Sequence, residues 1–319
     1  MPPKRVNAGN SRLWKADVAA SVDQFNQWFM RFAPAALRST RVKATREVKA
    51  AILATDDLRS IDAATLRANP GALPTLRMCT APPLAVDRLV RLASASRSLI
   101  GSMEKGKLAV RMTAELVDEN LDKVCRVLAK LLDRDIFRWL DAGKAPTDRE
   151  RESASTIVAD RLCSAVATDT VRLAHKIQQL SVVSVYLDSR GYRELVDPGR
   201  RGYLKTEPGT YTFFVNVPAA MGKSAFLPVD AVVQPIEARM DGLPVLIQAE
   251  SYSAFAESKR QSGAHRDTMR AMRMTYGDEV PFVLLLGGYF GGDYLGAQAA
   301  EGIDWVWQHR VTDLERFGL

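Results

Sequence analysis

Two acidic residues stand inside apolar runs late in the chain: Asp230 in FLPVDAVVQP and Glu250 in LPVLIQAES. A carboxylate in an apolar strand is costly to bury unless it is paired or holds a metal. The stretch is therefore either a pair of strand ends in water or a reactive centre. If the two runs pair through a hairpin around EARMDG, both acids approach one point at the edge of a sheet. Two carboxylates and a backbone carbonyl then form a hard oxygen site suited to Mg²⁺. Such a metal clamps a phosphoryl oxygen, lowers the pKa of a bound water and stabilises a leaving oxygen. Lys259, nine residues after Glu250 on the following helical segment, is the candidate cation for the developing charge. The competing reading places Asp230 at a strand mouth and Glu250 at a solvated end before a helix.

Other motifs fall short of their chemistry. AAMGKSA ends like a phosphate-binding P-loop, but Val217 stands where the first glycine is needed and a strand follows instead of a helix. Lys223 in that stretch is left as a candidate phosphate contact. GGYFGGDYLG has Tyr289 in place of the second glycine of a dinucleotide fingerprint, so it reads as a tight turn from strand to helix. His175, His265 and His309 are isolated, which argues against a histidine-based metal nuclease. In GIDWVWQHR the tryptophans read as packing groups, and Arg310 either pairs with Asp304 or reaches a polyanion.

The elements that must position these residues have two textures. From about Leu13 to Asp141, apolar residues recur at three- and four-residue spacing, as in AELVDENLDKVCRVLAKLL, with breaks at ANPGALP, TAPP and DAGKAP. A long helical stretch follows from about Thr147 to Leu187. GTYTFFVNV, FLPVDAVVQP, LPVLIQAES and VPFVLLLGGYF then read as four strands, rich in Val, Phe, Tyr and Ile and bounded by Gly, Pro and Asp. Between the third and fourth lies one helical pattern, with Ser253 as its cap and Gly277 at its end. The segment DYLGAQAAEGIDWVWQHRVTDLERF reads as further helix. The fourth strand is the most uniformly apolar and should be buried on both faces. The expected fold is α/β: a mostly helical region over residues 1–146, then a mixed sheet flanked by helices over residues 147–319.

Composition restricts the partners. With 319 residues, 47% apolar and 25% charged, the chain is an ordinary globular one. No run reaches the roughly 18 apolar residues of a membrane span, and the basic start is not followed by the apolar block of a secretory signal. Three separated cysteines, Cys79, Cys125 and Cys163, suit a reducing compartment and argue against a cysteine zinc site. The expected location is the cytoplasm. The formal net charge of +7 is uneven: residues 1–150 carry 26 Lys and Arg against 17 Asp and Glu, the remainder 18 against 20. Such a distribution suits a polyanion held by the N-terminal region. Within it, Arg38, Arg41, Arg46 and Lys49 fall on one side of a helix, as candidate phosphate contacts, while Lys43 lies further round.

The strand order, with Asp230 followed by IQAES, resembles the PD-(D/E)XK nuclease fold, whose signature is an Asp and then, after one hairpin, an acid, any residue and a lysine. Beyond that core, WKADVAASVDQFNQWFMRFAP, LPTLRMCTAPPLAVDRLVRLA and GGYFGGDYLGAQAAEGIDWVWQHRVTDL resemble type II restriction endonucleases of the XamI family, from about Leu13 to the C-terminus. The resemblance implies Mg²⁺-dependent cleavage of double-stranded DNA at a short palindrome, with GTCGAC as the target and 5′-phosphate ends. It implies a homodimer whose two-fold axis matches the site, and a cognate methyltransferase protecting the same site. It casts residues 1–146 as the DNA-recognition region and 147–319 as the nuclease core. The chain departs from the signature at two places: Gln248 stands where an acid is usual and Glu250 where the lysine is usual. Asp230 and Glu250 are then the metal ligands, helped by Gln248 and the carbonyl of Ala249, with Lys259 as the displaced cation. Two other readings stay open: a non-catalytic DNA-binding protein, and a repair or recombination nuclease on the same core.

Overall fold

The computed structural model of the protein describes residues 5–109, 111–196, 206–221, 224–237, 242–263 and 265–319. The chain forms two compact units, Ala35–Thr170 and Met1–Pro34 with Val171–Leu319. The division falls inside two long helices, α1 (Ser11–Ala54) and α8 (Asp148–Ser189), not at residue 146. Pro34, where the first share of α1 ends, lacks the N–H that an interior helical position would donate.

The unit Ala35–Thr170 is helical. Besides its shares of α1 and α8 it contains α2 (Ala63–Ala68), α3 (Leu73–Met78), α4 (Val86–Ala93), α5 (Arg97–Met103), α6 (Ala114–Leu131) and α7 (Trp139–Ala142). The spacing in α6 shows why: Val117, Leu121, Val124, Cys125 and Leu128 form one buried face, and Thr113 caps its start by accepting from the Leu116 N–H. Val48, Ile52, Leu73, Leu76, Leu121 and Val158 meet in a single core. Each such side chain contributes about 1.5–3 kcal/mol on burial.

The other unit contains a six-stranded sheet: β1 (Arg193–Glu194), β2 (Thr210–Met221), β3 (Ser224–Gln234), β4 (Val245–Tyr252), β5 (Phe282–Gly288) and β6 (Asp304–Trp307), side by side in chain order. β2, β3 and β4 run antiparallel to their neighbours in that series, whereas β1 with β2, β4 with β5 and β5 with β6 are parallel. The sheet is mixed, as expected, and β5 is buried throughout because both its edges are paired and both its faces are covered. Leu180, Val183 and Leu187 of α8 cover one face, over Ala231, Val245, Ile247 and Val306. The other face takes Trp14 of α1, Met269 and Met272 of α10 (Arg266–Tyr276), and Tyr294 and Leu295 of α11 (Gly292–Ala300).

Three local expectations need correction. DWVW is strand β6, not helix: Trp305 and Trp307 enter one core and Val306 the other, the two-residue alternation of a strand. The segment after β4 is two helices, α9 (Phe255–Arg260) and α10, instead of one. Ala254, not Ser253, is the N-cap of α9; Ser253 instead donates its N–H and hydroxyl to Glu257. Gly277 does end α10, with φ +91°. The two-residue strand β1 carries no sequence signal of its own. Residues 238–241 of the β3–β4 connection lie outside the described residues, as does Lys223.

Candidate active site

β3 and β4 pair through Val233↔Val245, Val232↔Leu246 and Ala231↔Ile247. At the end of this ladder the Ala249 N–H donates to Asp230 Oδ2 at 2.9 Å. Gln248 and Glu250 alternate onto the face of Leu246, whereas Asp230 sits where β3 changes faces, with Val229 in the core of Leu246 and Ala231 in the other. Leu246 and Tyr252 belong to one core, which puts Gln248 and Glu250 on that face of the sheet. Past the ladder's end, Asp230 thus meets the backbone of β4 at Ala249, between Gln248 and Glu250.

Asp230 is buried, and its Oδ2 also accepts from Lys176 Nζ at 2.8 Å. Lys176 comes from α8, the helix packed on the opposite face, and meets Asp230 where the β3–β4 ladder has ended. Glu250 Oε2 accepts from the Tyr252 hydroxyl at 3.0 Å, and His265 Nε2 lies 3.4 Å from Oε1. Burial pushes the Glu250 carboxyl up, against the pull of Lys176 and the Tyr252 hydroxyl, while the Asp230 charge pushes the same way as burial. Burial also lowers His265 to about 4, helped by Lys176, so at neutral pH it faces Glu250 as a neutral imidazole.

Behind the strand, α8 makes further polar contacts. His175 Nδ1 and the Ser251 hydroxyl are 2.7 Å apart, and Gln179 Nε2 donates to the carbonyls of Glu250 and Leu285, at 3.1 Å each. Gly287 leaves room for them: a Cβ there would sit 2.8 Å from His175 Cε1 and 3.0 Å from Gln179 Nε2.

The remaining candidates lie elsewhere. Lys259 is on the exposed surface of α9, with Nζ 3.4 Å from Asp293 Oδ2. Gln248 is half-buried. On α1, Arg41 pairs with Asp160 at 2.7 Å and Lys49 with Glu152 at 2.6 Å, while Arg38 and Arg46 are exposed without an ion pair among the described residues. Trp305 and Trp307 are fully buried, as packing groups. Arg310 pairs with Asp17 and Asp313 instead of Asp304, whose carboxylate accepts the N–H groups of Val6, Asn7 and Ala8.

Lys176, Tyr252 and His265 escaped the sequence reading. Tyr252, two residues beyond Glu250 on the same strand face, was legible from alternation. His265 precedes a helix whose approach to Glu250 is tertiary, and Lys176 lies 54 residues before Asp230, so no spacing rule reaches it.

Comparison with known proteins gives the same reading as the resemblance. The model of the XamI restriction endonuclease family matches residues 56–307. The chain is 42% identical over 313 residues to the type II restriction enzyme SalI of Streptomyces albus G, covering 98% of this chain and 99% of that enzyme. No solved structure matches it. A family match over most of the chain, with similarity to a type II enzyme along nearly its full length, gives the activity as site-specific hydrolysis of DNA. The chain belongs to the XamI restriction endonuclease family.

Proposed function

We propose that this endonuclease cuts both strands of GTCGAC, leaving 5′-phosphate ends, with Mg²⁺ held by Asp230 and Glu250. The observation that carries the reading is the meeting of these two carboxylates at the end of the β3–β4 ladder, where Asp230 accepts from the Ala249 N–H and its charge acts on Glu250. The donor set fits a hard cation. Asp230 and Glu250 offer carboxylate oxygens, and Gln248 adds an amide oxygen on the strand face of Glu250. When bound, Mg²⁺ supplies a polarised phosphodiester and a more acidic attacking water. The chain's own part is orientation: Lys176 and the Ala249 N–H fix Asp230, and Tyr252 fixes Glu250.

A palindromic target favours a homodimer with its two-fold axis on that of the site. Arg38, Arg41, Arg46 and Lys49 supply phosphate contacts from the helical, basic region, and Lys223 is assigned the same role. The enzyme works in the cytoplasm beside a methyltransferase that protects the same sequence, a functional partner and not a bound one.

The test is plasmid carrying one GTCGAC, incubated with enzyme and Mg²⁺. Linear product with mapped 5′-phosphate ends at that sequence, lost on prior methylation of the site, supports the reading. Plasmid that is retarded but intact would make the chain a DNA-binding protein, and cuts that follow DNA structure instead of sequence would make it a repair nuclease.

A further inference from the structure

We infer that Lys176 is the cation of the cleavage centre, supplied by helix α8 in place of the lysine that the strand motif lacks. The inference rests on the assignment of Asp230 and Glu250 as the reacting carboxylates. It begins from an absence in β4: Gln248, Ala249 and Glu250 offer oxygens but no positive charge. Lys176 provides one at the right place, with its ammonium 2.8 Å from Asp230 and both side chains largely buried, at 20% and 10% exposure. A buried lysine is costly unless paired, so its position beside a carboxylate is a built feature and not a wandering surface contact. Lys259, by contrast, is three-quarters exposed and paired with Asp293.

The helix that carries Lys176 is fixed on either side of it. His175, one residue before, meets Ser251, and Gln179, three residues after, holds the carbonyls of Glu250 and Leu285. One turn further on, Leu180 and Val183 enter the core. The ammonium is therefore placed relative to β4 by polar contacts to the two residues that follow Ala249. A preorganised cation of this kind is worth most where charge develops in a water-poor site.

In the reaction assigned here, Lys176 Nζ donates to a non-bridging oxygen of the scissile phosphate. The bond from phosphorus to the incoming water oxygen forms as the P–O3′ bond breaks with its electron pair. The water loses its proton to solvent and the 3′ oxygen gains one from solvent, while Lys176 keeps its own protons throughout.

The test compares Lys176→Gln, Lys176→Met, Asp230→Asn and Glu250→Gln in single-turnover cleavage of a GTCGAC duplex with Mg²⁺, alongside duplex binding in Ca²⁺. The expected result is a fall of about 100-fold or more in the cleavage rate of both lysine variants, with duplex binding within about threefold of the parent. Lys176→Cys is the further variant, covering the case in which the others do not fold. Aminoethylation with 2-bromoethylamine rebuilds an ammonium one sulfur away, and peptide mass mapping confirms that position 176 has reacted and that the buried Cys79, Cys125 and Cys163 have not. Recovery of cleavage on aminoethylation supports the assignment, and its absence in a folded, DNA-binding protein overturns it. Cleavage by a lysine variant at the parental rate, with both carboxylate variants inactive, sinks the lysine assignment alone. Parental cleavage by the carboxylate variants sinks the underlying site.

Discussion

The Tyr252 hydroxyl donates to Glu250 Oε2 at 3.0 Å from two residues away on the same strand face. This bond holds one carboxylate oxygen, while the other lies 3.4 Å from His265 Nε2. A hydrogen bond to a charged group is worth about 1.5–3 kcal/mol. Tyr252→Phe keeps the ring and its packing on Phe290 and Tyr294 while removing the hydroxyl. The expected outcome is a fall of about tenfold in single-turnover cleavage, the equivalent of 1.4 kcal/mol, with duplex binding unchanged. An unaltered rate would show that Glu250 is oriented by something else.

Gly287 is predicted to be intolerant of even one added carbon. Its φ is ordinary, so the constraint is space: a Cβ would press most closely on Gln308 Oε1, and also on His175 and Gln179, both pinned by buried hydrogen bonds. Overpacking of this kind costs about 1–3 kcal/mol. Gly287→Ala should lower the urea midpoint accordingly and slow cleavage as well, because the displaced groups hold β4. A midpoint equal to that of the parent would mean that the polar cluster yields freely.

The candidate site was half legible in the sequence, and the division follows distance along the chain. Asp230, Gln248 and Glu250 sit on adjacent antiparallel strands, where one hairpin suffices to bring Asp230 to the stretch of β4 that carries the other two. The four strands in GTYTFFVNV, FLPVDAVVQP, LPVLIQAES and VPFVLLLGGYF were legible from their Val, Phe, Tyr and Ile content and their Gly, Pro and Asp bounds. Lys176, His175 and Gln179 reach the site through the packing of α8 on the sheet, a relationship that no local pattern encodes. Short runs such as DWVW carry too few residues for a period to show, and burial on both sides decided their state. Lys259 had suitable chemistry and a plausible spacing, but α9 presents it to solvent beside Asp293.

Acid sensitivity should follow His175. Burial lowers it from 6.5 to about 4 in the folded protein. Between those values the unfolded chain binds a proton that the native state does not, so native stability is full above about 6.5 and falls as pH drops toward 4. The slope reaches about 1.4 kcal/mol per pH unit for one such group. Thermal melting at pH 7 and pH 5 should show a drop in Tm that shrinks in His175→Gln, which retains a polar partner for Ser251. An equal drop in both proteins would assign the acid sensitivity to other groups.

The basic face of α1 should divide into two classes in DNA binding. Arg41 and Lys49 are already matched to Asp160 and Glu152, so a phosphate must compete with a carboxylate at each. Arg38 and Arg46 are exposed without an ion pair among the described residues, and a phosphate approaching them displaces only counterions. Affinity for duplex DNA falls linearly with the logarithm of salt concentration, by about 0.9 per phosphate neutralised. Arg38→Ala and Arg46→Ala should each reduce that slope by about 1, whereas Arg41→Ala and Lys49→Ala should change it less. Equal changes at all four positions would mean that the carboxylates give way on binding. No change at any of them would place the DNA on another face of the helical unit.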